Sequence, residues 1–247
     1  TCVTPVDFDH QAYLGTTLAA IAAEKAGIFK PGVPVVLAAQ QPEALAVLDR
    51  PGAWLEGRDF PSPPLLPAGV FQLRGRHQLQ NCAVALACLK ALDAAGFPLD
   101  DDARLEGLRQ ARWPGRLEHF AGPPAVVLDG AHNPAGVAAL VTALDELYDG
   151  RPVHLVFGVL ADKDSDPMMR ALFPRAAALY LTPLPGPRSK DPHSYLELAR
   201  SLSPRVTVWP SAEAALRAAR AGCPPDGLVL GAGSLVLVGQ LRAALQG

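Results

Sequence analysis

Apolar residues in the second half of the chain form two kinds of segment that alternate along the sequence. Short continuous apolar runs are typical of buried strands, and they occupy residues 125–128, 153–157, 177–181, 206–209 and 228–230. Stretches with helical spacing follow these runs, at residues 134–148, 166–173, 192–202, 211–220 and 235–245. Strands and helices that alternate over short loops predict an α/β fold. Its sheet is expected to be mostly parallel, covered on both faces and joined by right-handed crossovers.

The first half of the chain is predicted to contain shorter elements in a less regular order. After an opening apolar strand, a helix over residues 16–26 is capped by Thr16 or Thr17 and ends at Gly27. Further strands are predicted at residues 33–38 and 53–60, and further helices at 42–48, 82–92 and 101–111. The rhythm changes after residues 113–118, so two domains are predicted, residues 1–119 and residues 120–247.

Composition narrows the class of protein. Of the 247 residues, 49% are hydrophobic and 19% are charged, which predicts a sizeable core and excludes global disorder. The net charge is −2 and no long basic run occurs, which argues against nucleic acid or an anionic membrane as a partner. The four cysteines lack metal-site spacing, no apolar run has the length of a membrane span and no signal peptide is recognised. These features predict a cytoplasmic protein with reduced thiols.

Polar residues gather where predicted strands end. Asp129, His132 and Asn133 follow the run 125–128, with Asn133 placed to cap the next helix and Pro134 suited to its first position. A helix N-terminus after a parallel strand favours an anion, although the same residue types are also ordinary turn and cap residues. Similar clusters follow three other strands, at residues 9–10, 162–164 and 231–234. The carboxyl ends of parallel strands meet at one rim, where ligands gather, so a binding site is predicted there.

Seven short segments, taken together and in order, carry a resemblance to a known family. They read DHQAYLG at 9–15, IAAEKAGI at 21–28, GRDF at 57–60, HQLQN at 77–81, WPGRLE at 113–118, DGAHNP at 129–134 and DKD at 162–164. This series resembles the signature of folylpolyglutamate synthases and dihydrofolate synthases, within the Mur ligase superfamily. The resemblance implies an ATP-dependent amide ligase that uses Mg²⁺. Such an enzyme phosphorylates the carboxylate of a folate or of dihydropteroate, and the amine of L-glutamate attacks the acyl phosphate.

The resemblance also implies roles for single residues, and the first two concern the metal. Lys25 matches a catalytic lysine that CO₂ converts to a carbamate, which helps to bind Mg²⁺. Such a reaction requires a partly buried amine with a lowered pKa, since only the neutral amine reacts. His10 matches a metal-binding histidine. The alternatives are a lysine that interacts with the helix dipole and a turn histidine bonded to the backbone.

Five further residues match positions around the nucleotide and the glutamate. Asn81 matches a residue that contacts adenine, and it could also cap the helix that follows. Arg116 matches an arginine that binds the ATP phosphates, unless it forms a salt bridge to Glu118 or Asp129. Asp129 matches a residue near the ribose and phosphates, and His132 one near the γ-phosphate and the incoming glutamate. Ser234 resembles a serine that holds the glutamate carboxylate, whereas residues 162–163 receive no single role.

One expected motif has no match in the chain. Ligases of this family carry a phosphate-binding loop of the form GxxGKG[ST], and the segment 231–234 lacks its lysine. In the family this loop precedes the point at which the present sequence starts. The expectation is therefore the remainder of the central ATPase domain, followed by a Rossmann-like glutamate-binding domain. The polypeptide as given is expected not to catalyse ligation.

The sequence-based hypothesis is a monomer in which the functional residues converge between the two domains on a nucleotide and a metal. Two alternatives remain open at this point. One is a Mur-type ligase that acts on a cell-wall precursor. The other is a non-catalytic module that binds a nucleotide or another ligand.

Overall fold

The computed structural model describes residues 1–9, 11–67 and 69–246, and the chain divides into two units, Thr1–Arg112 and Trp113–Gly247. The sequence places the domain boundary after residue 119, whereas the structure divides the chain after Arg112. The reason is that Glu118–Phe120 forms a strand that pairs with Ala125–Leu128 of the second unit. The region around residues 113–119 therefore belongs to the second unit.

The first unit is built on a small parallel sheet with helices on both faces. Its strands are β1 (Cys2–Val3), β2 (Val36–Leu37) and β3 (Trp54–Leu55), and they lie side by side in the order β1-β2-β3. Its helices are α1 (Gln11–Leu14), α2 (Leu18–Ala26), α3 (Pro42–Leu48), α4 (Arg76–Ala94) and α5 (Asp101–Gln110). Ile21 of α2 and Leu48 of α3 pack on Leu37, whereas Val84 of α4 packs on Val36, the neighbouring residue of the same strand. Successive strand residues thus fill cores on opposite faces.

Helix α4 begins six residues earlier than its apolar spacing indicates. Its first turns are mostly polar, so the hydrophobic pattern becomes visible only at Cys82, while Gly75, with φ +94°, directly precedes the helix. Asn81 therefore lies inside the helix, and the suggestion that it caps the helix is wrong. By contrast, α2 has the predicted ends, with Thr17 as N-cap and Gly27 as C-cap.

The second unit contains a six-stranded sheet and confirms the predicted fold class. Its strands are β4 (Glu118–Phe120), β5 (Ala125–Leu128), β6 (Val153–Phe157), β7 (Ala178–Leu181), β8 (Val206–Val208) and β9 (Leu228–Ala232). Its helices are α6 (Pro134–Leu147), α7 (Ser165–Leu172), α8 (Leu196–Leu202), α9 (Ala212–Gly222) and α10 (Leu235–Gln246). The spatial order is β4-β5-β9-β6-β7-β8, and β4 alone of these strands is antiparallel to its neighbour.

Neighbouring strand residues of this sheet again point into two separate cores. Val127, Leu155 and Leu230 belong to the core that includes residues of α6, α7 and α8. Val126 and Val229 belong to the core that includes residues of α9 and α10. No helix in the described residues is both long and apolar enough to cross a membrane.

The chain leaves the carboxyl ends of β5 and β9 towards opposite faces of the sheet, and the region between the two loops is referred to below as the crevice. These two strands are neighbours, with Leu128 in register with Gly231. Helix α6 follows β5 and packs on one face, whereas α10 follows β9 and packs on the other. In parallel sheets such a divergence of connections is where ligands bind.

Candidate functional site

The turn between β5 and α6 places a helix N-terminus directly after a buried strand. Asn133 is the N-cap, and its Oδ1 accepts the N–H of Gly136 at 2.8 Å. Pro134 is the first helical residue. Both predictions are confirmed, and the dipole of α6 favours an anion at this turn.

The carboxylate of Asp129 holds this turn to the segment before β4. Its side chain is buried, and Oδ1 accepts the N–H of Ala131 at 2.9 Å. Oδ2 accepts the N–H of Leu117, also at 2.9 Å. Leu117 has φ +43°, a conformation that non-glycine residues rarely adopt. The hydrogen bond to Asp129 is one of the contacts that hold Leu117 in this conformation.

The side chain of Arg116 lies against the backbone of Gly130, which belongs to the turn between β5 and α6. A Cβ built on Gly130 would approach Nη1 of Arg116 to 2.4 Å, so glycine is required for this close approach. The two segments are joined by the N–H of Gly130, which donates to the carbonyl of Gly115 at 2.8 Å. Nη1 of Arg116 donates to the same carbonyl at 3.4 Å. The suggested salt bridge to Glu118 is not present, because Glu118 pairs with Arg242.

His132 has a fixed ring orientation. Its Nδ1 lies 2.7 Å from the carbonyl oxygen of Gly130, and because a carbonyl only accepts, Nδ1 carries the proton. In the neutral ring the lone pair then belongs to Nε2, the atom that can take up a proton. The ring is half-buried.

Ser234 belongs to the loop on the other side of the crevice. The N–H of Gly233 donates to the carbonyl of Ala131 at 3.1 Å, which joins this loop to the turn that carries His132. Ser234 is buried, and its hydroxyl accepts the N–H of Val236 in the first turn of α10 at 3.1 Å. The structure therefore brings Arg116, Asp129, His132 and Ser234 together at one end of the sheet.

The loops after β6 and β7 are bonded to each other at the same edge of the sheet. The N–H of Ala161 donates to the carbonyl of Arg188 at 2.8 Å, next to the predicted cluster at residues 162–164. Nζ of Lys190 donates to the hydroxyl of Ser165 at 2.5 Å and lies 5.9 Å from the ring centre of Tyr195. Burial raises the pKa of Tyr195, whose hydroxyl has no hydrogen-bond partner among the described residues.

The remaining predicted residues belong to the first unit. Lys25 lies in the last turn of α2 and is exposed, so it lacks the partial burial that carbamylation requires. Asn81 is exposed on α4, where its Nδ2 donates to Oε1 of Gln78 at 3.3 Å. His10 lies outside the described residues. Convergence of these residues with those of the second unit stays a prediction.

No group of three or more histidine, cysteine or acidic side chains within the described residues is arranged to hold a metal ion. Mg²⁺ that bridges phosphates takes only one or two protein ligands, so such a group is not required for it. Lys25 in its ammonium form is a donor without lone pairs and does not fit a metal.

No sequence pattern indicated a role for Arg242 or Lys190. Arg242 is hydrogen-bonded to Glu118, which is 124 positions away in the sequence, and Lys190 is hydrogen-bonded to Ser165, which is 25 positions away. Neither cation belongs to a motif, and only the sheet topology brings each to its partner. Glu118 is part of the segment 113–118, but its pairing could not be inferred from it.

Comparisons with known proteins find relatives along the whole chain. Residues 115–235, which contain all four side chains at the crevice, match the family described as Mur ligase, glutamate ligase domain. Folylpolyglutamate synthase of Lacticaseibacillus casei is 35% identical over 99% of this chain. Dihydrofolate synthase/folylpolyglutamate synthase of Bacillus subtilis is 35% identical over 76% of the chain. The chain spans 61% of the first relative's length and 50% of the second's.

Solved structures show the same likeness. Folylpolyglutamate synthase of Mycobacterium tuberculosis, complexed with ADP, superposes with a TM-score of 0.86 at 30% identity. The match covers the whole of this chain and 63% of that one. Escherichia coli FolC, in complex with DHPP and ADP, gives a TM-score of 0.83 at 27% identity over 99% of this chain and 61% of its own.

Proposed function

Because this chain belongs to the Mur ligase family and is homologous along its length to folylpolyglutamate synthases, we propose that its protein joins L-glutamate to a folate or to dihydropteroate in an ATP-dependent reaction. The observation that carries the proposal is the crevice between β5 and β9. There a guanidinium, an imidazole and a serine meet at two helix N-termini, within the segment that matches the glutamate ligase domain family. The relatives named above support folate substrates, and the cell-wall alternative is not favoured.

Arg116 is proposed to bind the ATP phosphates. Its guanidinium forms no ion pair within the described part of the chain, so its charge is available to an anion. Arginine suits this task because its planar group donates two parallel hydrogen bonds to phosphate. Charge that develops on the transferred phosphoryl group would be stabilised from a fixed position against Gly130.

His132 is proposed to accept the proton that the glutamate ammonium loses before its amine attacks the acyl phosphate. The hydrogen bond from Nδ1 to Gly130 leaves Nε2 as the basic atom of the ring. A ring that is held in one orientation needs no reorganisation during the reaction.

Ser234 and the N-terminus of α10 are proposed to hold a carboxylate of glutamate. The hydroxyl of Ser234 already accepts from Val236, so its own proton can be donated to the carboxylate. The dipole of α10 favours a negative charge at the same place. Asp129 contributes by positioning, since both of its oxygens accept backbone N–H groups, and its contact with the nucleotide stays a prediction.

Mg²⁺ is expected to bind with ATP, and His10 remains the proposed protein ligand of this chain. The metal would neutralise phosphate charge when it is bound. Asn81 remains the proposed adenine contact, and the carbamylation of Lys25 remains a proposal that its exposed position does not support. We further propose a monomeric cytoplasmic protein, in agreement with four cysteines that are all free.

The proposal is tested on the complete gene product with ATP, labelled L-glutamate and three acceptors: dihydropteroate, tetrahydrofolate and a UDP-linked cell-wall precursor. Label is expected on a folate-type acceptor, with one ADP released for each glutamate joined. Label on the UDP-linked acceptor would favour the cell-wall alternative. Nucleotide binding without any ligated product would favour a non-catalytic module.

A further inference from the structure

Glu118 and Arg242 form an ion pair directly behind the turn that carries Arg116. Nε of Arg242, on α10, lies 2.9 Å from Oε1 and 3.2 Å from Oε2 of Glu118. The side chains keep 35% and 21% of their exposure, respectively, so solvent screens the pair only in part. The pair thereby joins the start of β4 to the last helix of the unit.

The same carboxylate holds the turn itself. Oε2 of Glu118 accepts the N–H of Gly115 at 2.8 Å, while the carbonyl of Gly115 accepts from Gly130. Gly115 has φ +71°, and a Cβ at this position would lie 2.7 Å from Cγ1 of Val238. The turn therefore packs closely on α10, and Arg116 projects from a backbone that is bonded on both sides.

Glu118 is also the carboxylate nearest to Arg116 in the sequence, two positions further on. An unpaired carboxylate beside this turn competes with a phosphate for the guanidinium, because both are oxyanions with two oxygens that accept paired hydrogen bonds. Arg242 occupies both oxygens of Glu118. Arg116 is accordingly left without a carboxylate partner among the described residues.

We propose that Arg242 is a positioning residue that neutralises Glu118 and so keeps Arg116 available for the nucleotide phosphates. The inference rests on the proposed function, since it assumes that Arg116 binds ATP. It makes a prediction that simple loss of a stabilising salt bridge does not make. Removal of Arg242 alone should weaken nucleotide binding, and removal of the Glu118 charge in addition should restore it.

The test compares the parent with Arg242→Gln, Glu118→Gln and the double variant, all in the complete gene product. Glutamine at position 118 keeps an oxygen that can accept from Gly115 but carries no charge. Dissociation constants for ATP and ADP are measured by calorimetry, and the melting temperature of the nucleotide-free protein is recorded beside them. Arg217→Gln is the matched control, because it breaks an exposed pair with Glu213 on α9.

Arg242→Gln is expected to raise the ATP dissociation constant on the order of tenfold, as expected when a charged hydrogen bond is lost. The double variant is expected to return to within about twofold of the parent, although its melting temperature is no higher than that of Arg242→Gln. Arg217→Gln should leave nucleotide binding unchanged.

Equal nucleotide affinity in Arg242→Gln and the double variant would overturn the inference while the proposed function stands. A loss of affinity that follows the melting temperature through the whole series would do the same. A parent protein that binds neither ATP nor ADP would overturn the proposed function, and this inference with it.

Discussion

Gly130 illustrates how one missing methyl group shapes the site. Its backbone lies against Nη1 of Arg116 and Cδ2 of Leu235, each 2.4 Å from where a Cβ would stand. Both atoms are the far ends of flexible side chains, so they can move aside at a modest cost in stability. The guanidinium, however, would then leave the place from which it is proposed to bind phosphate.

The Gly130→Ala variant is therefore expected to lose nucleotide affinity more than stability. Displaced rotamers cost about 0.5–1.5 kcal/mol, whereas loss of a charged hydrogen bond to phosphate raises the ADP dissociation constant on the order of tenfold. Urea unfolding and calorimetric titration with ADP measure the two effects. In contrast, a Cβ added at Gly239 on α10 meets nothing within 4 Å. Gly239→Ala should therefore raise the free energy of unfolding by about 0.5–1 kcal/mol and leave the ADP dissociation constant unchanged. Equal changes in unfolding free energy and in ADP affinity for the two variants would contradict this explanation of Gly130.

His132 can be tested with a substitution that keeps its structural hydrogen bond. The side-chain amide of His132→Asn can still donate to Gly130 in place of Nδ1, but it supplies no base. We expect kcat for glutamate ligation to fall about 100-fold or more, with little change in ADP binding or melting temperature. His193→Asn is the control, because this histidine is exposed. A variant at position 132 that keeps its kcat would exclude the imidazole as the base.

The sequence predicted the identity of most of these residues but not their contacts. Asn133 and Pro134 were found because capping follows local rules that a hexapeptide carries by itself. The positive φ of Leu117 has no local signature, since it results from hydrogen bonding to Asp129 and from burial of the side chain. The exposure of Lys25 was likewise not readable, because a last-turn lysine has the same pattern whether buried or exposed.

Helix α6 and strand β5 are the elements on which the site depends most directly. Their ends were predicted to within one residue, because a buried strand, a cap and an amphipathic helix follow one another without interruption. Strand β4 was missed because its three residues, Glu-His-Phe, contain no apolar run. It exists through antiparallel pairing with β5, which an apolar pattern does not reveal. The start of α4 was missed for a similar reason, since its first turns are mostly polar.

Loss of the N-cap should weaken α6 as an element. Asn133→Ala removes the acceptor for Gly136 and is expected to lower the free energy of unfolding by about 1 kcal/mol. Asn133→Asp keeps an acceptor and adds a charge that the helix dipole favours, so its stability should match or exceed that of the parent. Urea denaturation followed by circular dichroism measures both changes. Equal loss in the two variants would show that the hydrogen bond to Gly136 does not stabilise the helix.

A buried polar pair between β6 and β7 makes the packing of these strands sensitive to acid. Nδ1 of His154 lies 3.0 Å from the hydroxyl of Tyr180. Burial, and secondly the charge of Arg205, lower the pKa of His154 below its ordinary value of 6.5. Below pH 6.5 the unfolded chain therefore binds a proton that the folded chain does not, and stability falls as the pH decreases towards the folded pKa.

We expect the free energy of unfolding of the parent to decrease more steeply below pH 6.5 than that of His154→Gln, which has no group that titrates there. Well above pH 6.5 this histidine is neutral in both the folded and the unfolded parent, so it contributes no slope there. The control His193→Gln should follow the parent, because an exposed ring is hydrated in both states. Parallel curves for the parent and His154→Gln between pH 6.5 and 5 would contradict the assignment.

At the scale of the whole molecule, each unit has hydrophobic cores of its own. Two core clusters and all six strands of the larger sheet lie within residues 113–247. The crevice residues Arg116, Asp129, His132 and Ser234 lie within the same unit. The alternation of strands and helices predicted this sheet, but not the insertion of β9 between β5 and β6, because strand order depends on packing rather than on local pattern.

Residues 113–247, expressed alone, are expected to fold cooperatively. The reason is that the sheet and the helices on both of its faces are complete within this range. A single unfolding transition, together with hydrogen-exchange protection of β5, β6 and β9, would be the expected result. An uncooperative transition, or exchange without protection in these strands, would show that the unit depends on residues 1–112.

The insertion of β9 has a consequence for biosynthesis. On the ribosome, β5 and β6 leave the exit tunnel before the strand that belongs between them has been translated. Until residues 228–232 emerge, the two strands have no common neighbour, and the apolar groups that will meet β9 stay open to chaperones. A premature stop codon upstream of β9 would thus remove the middle of the sheet rather than its margin, and we expect the nascent fragment to be degraded.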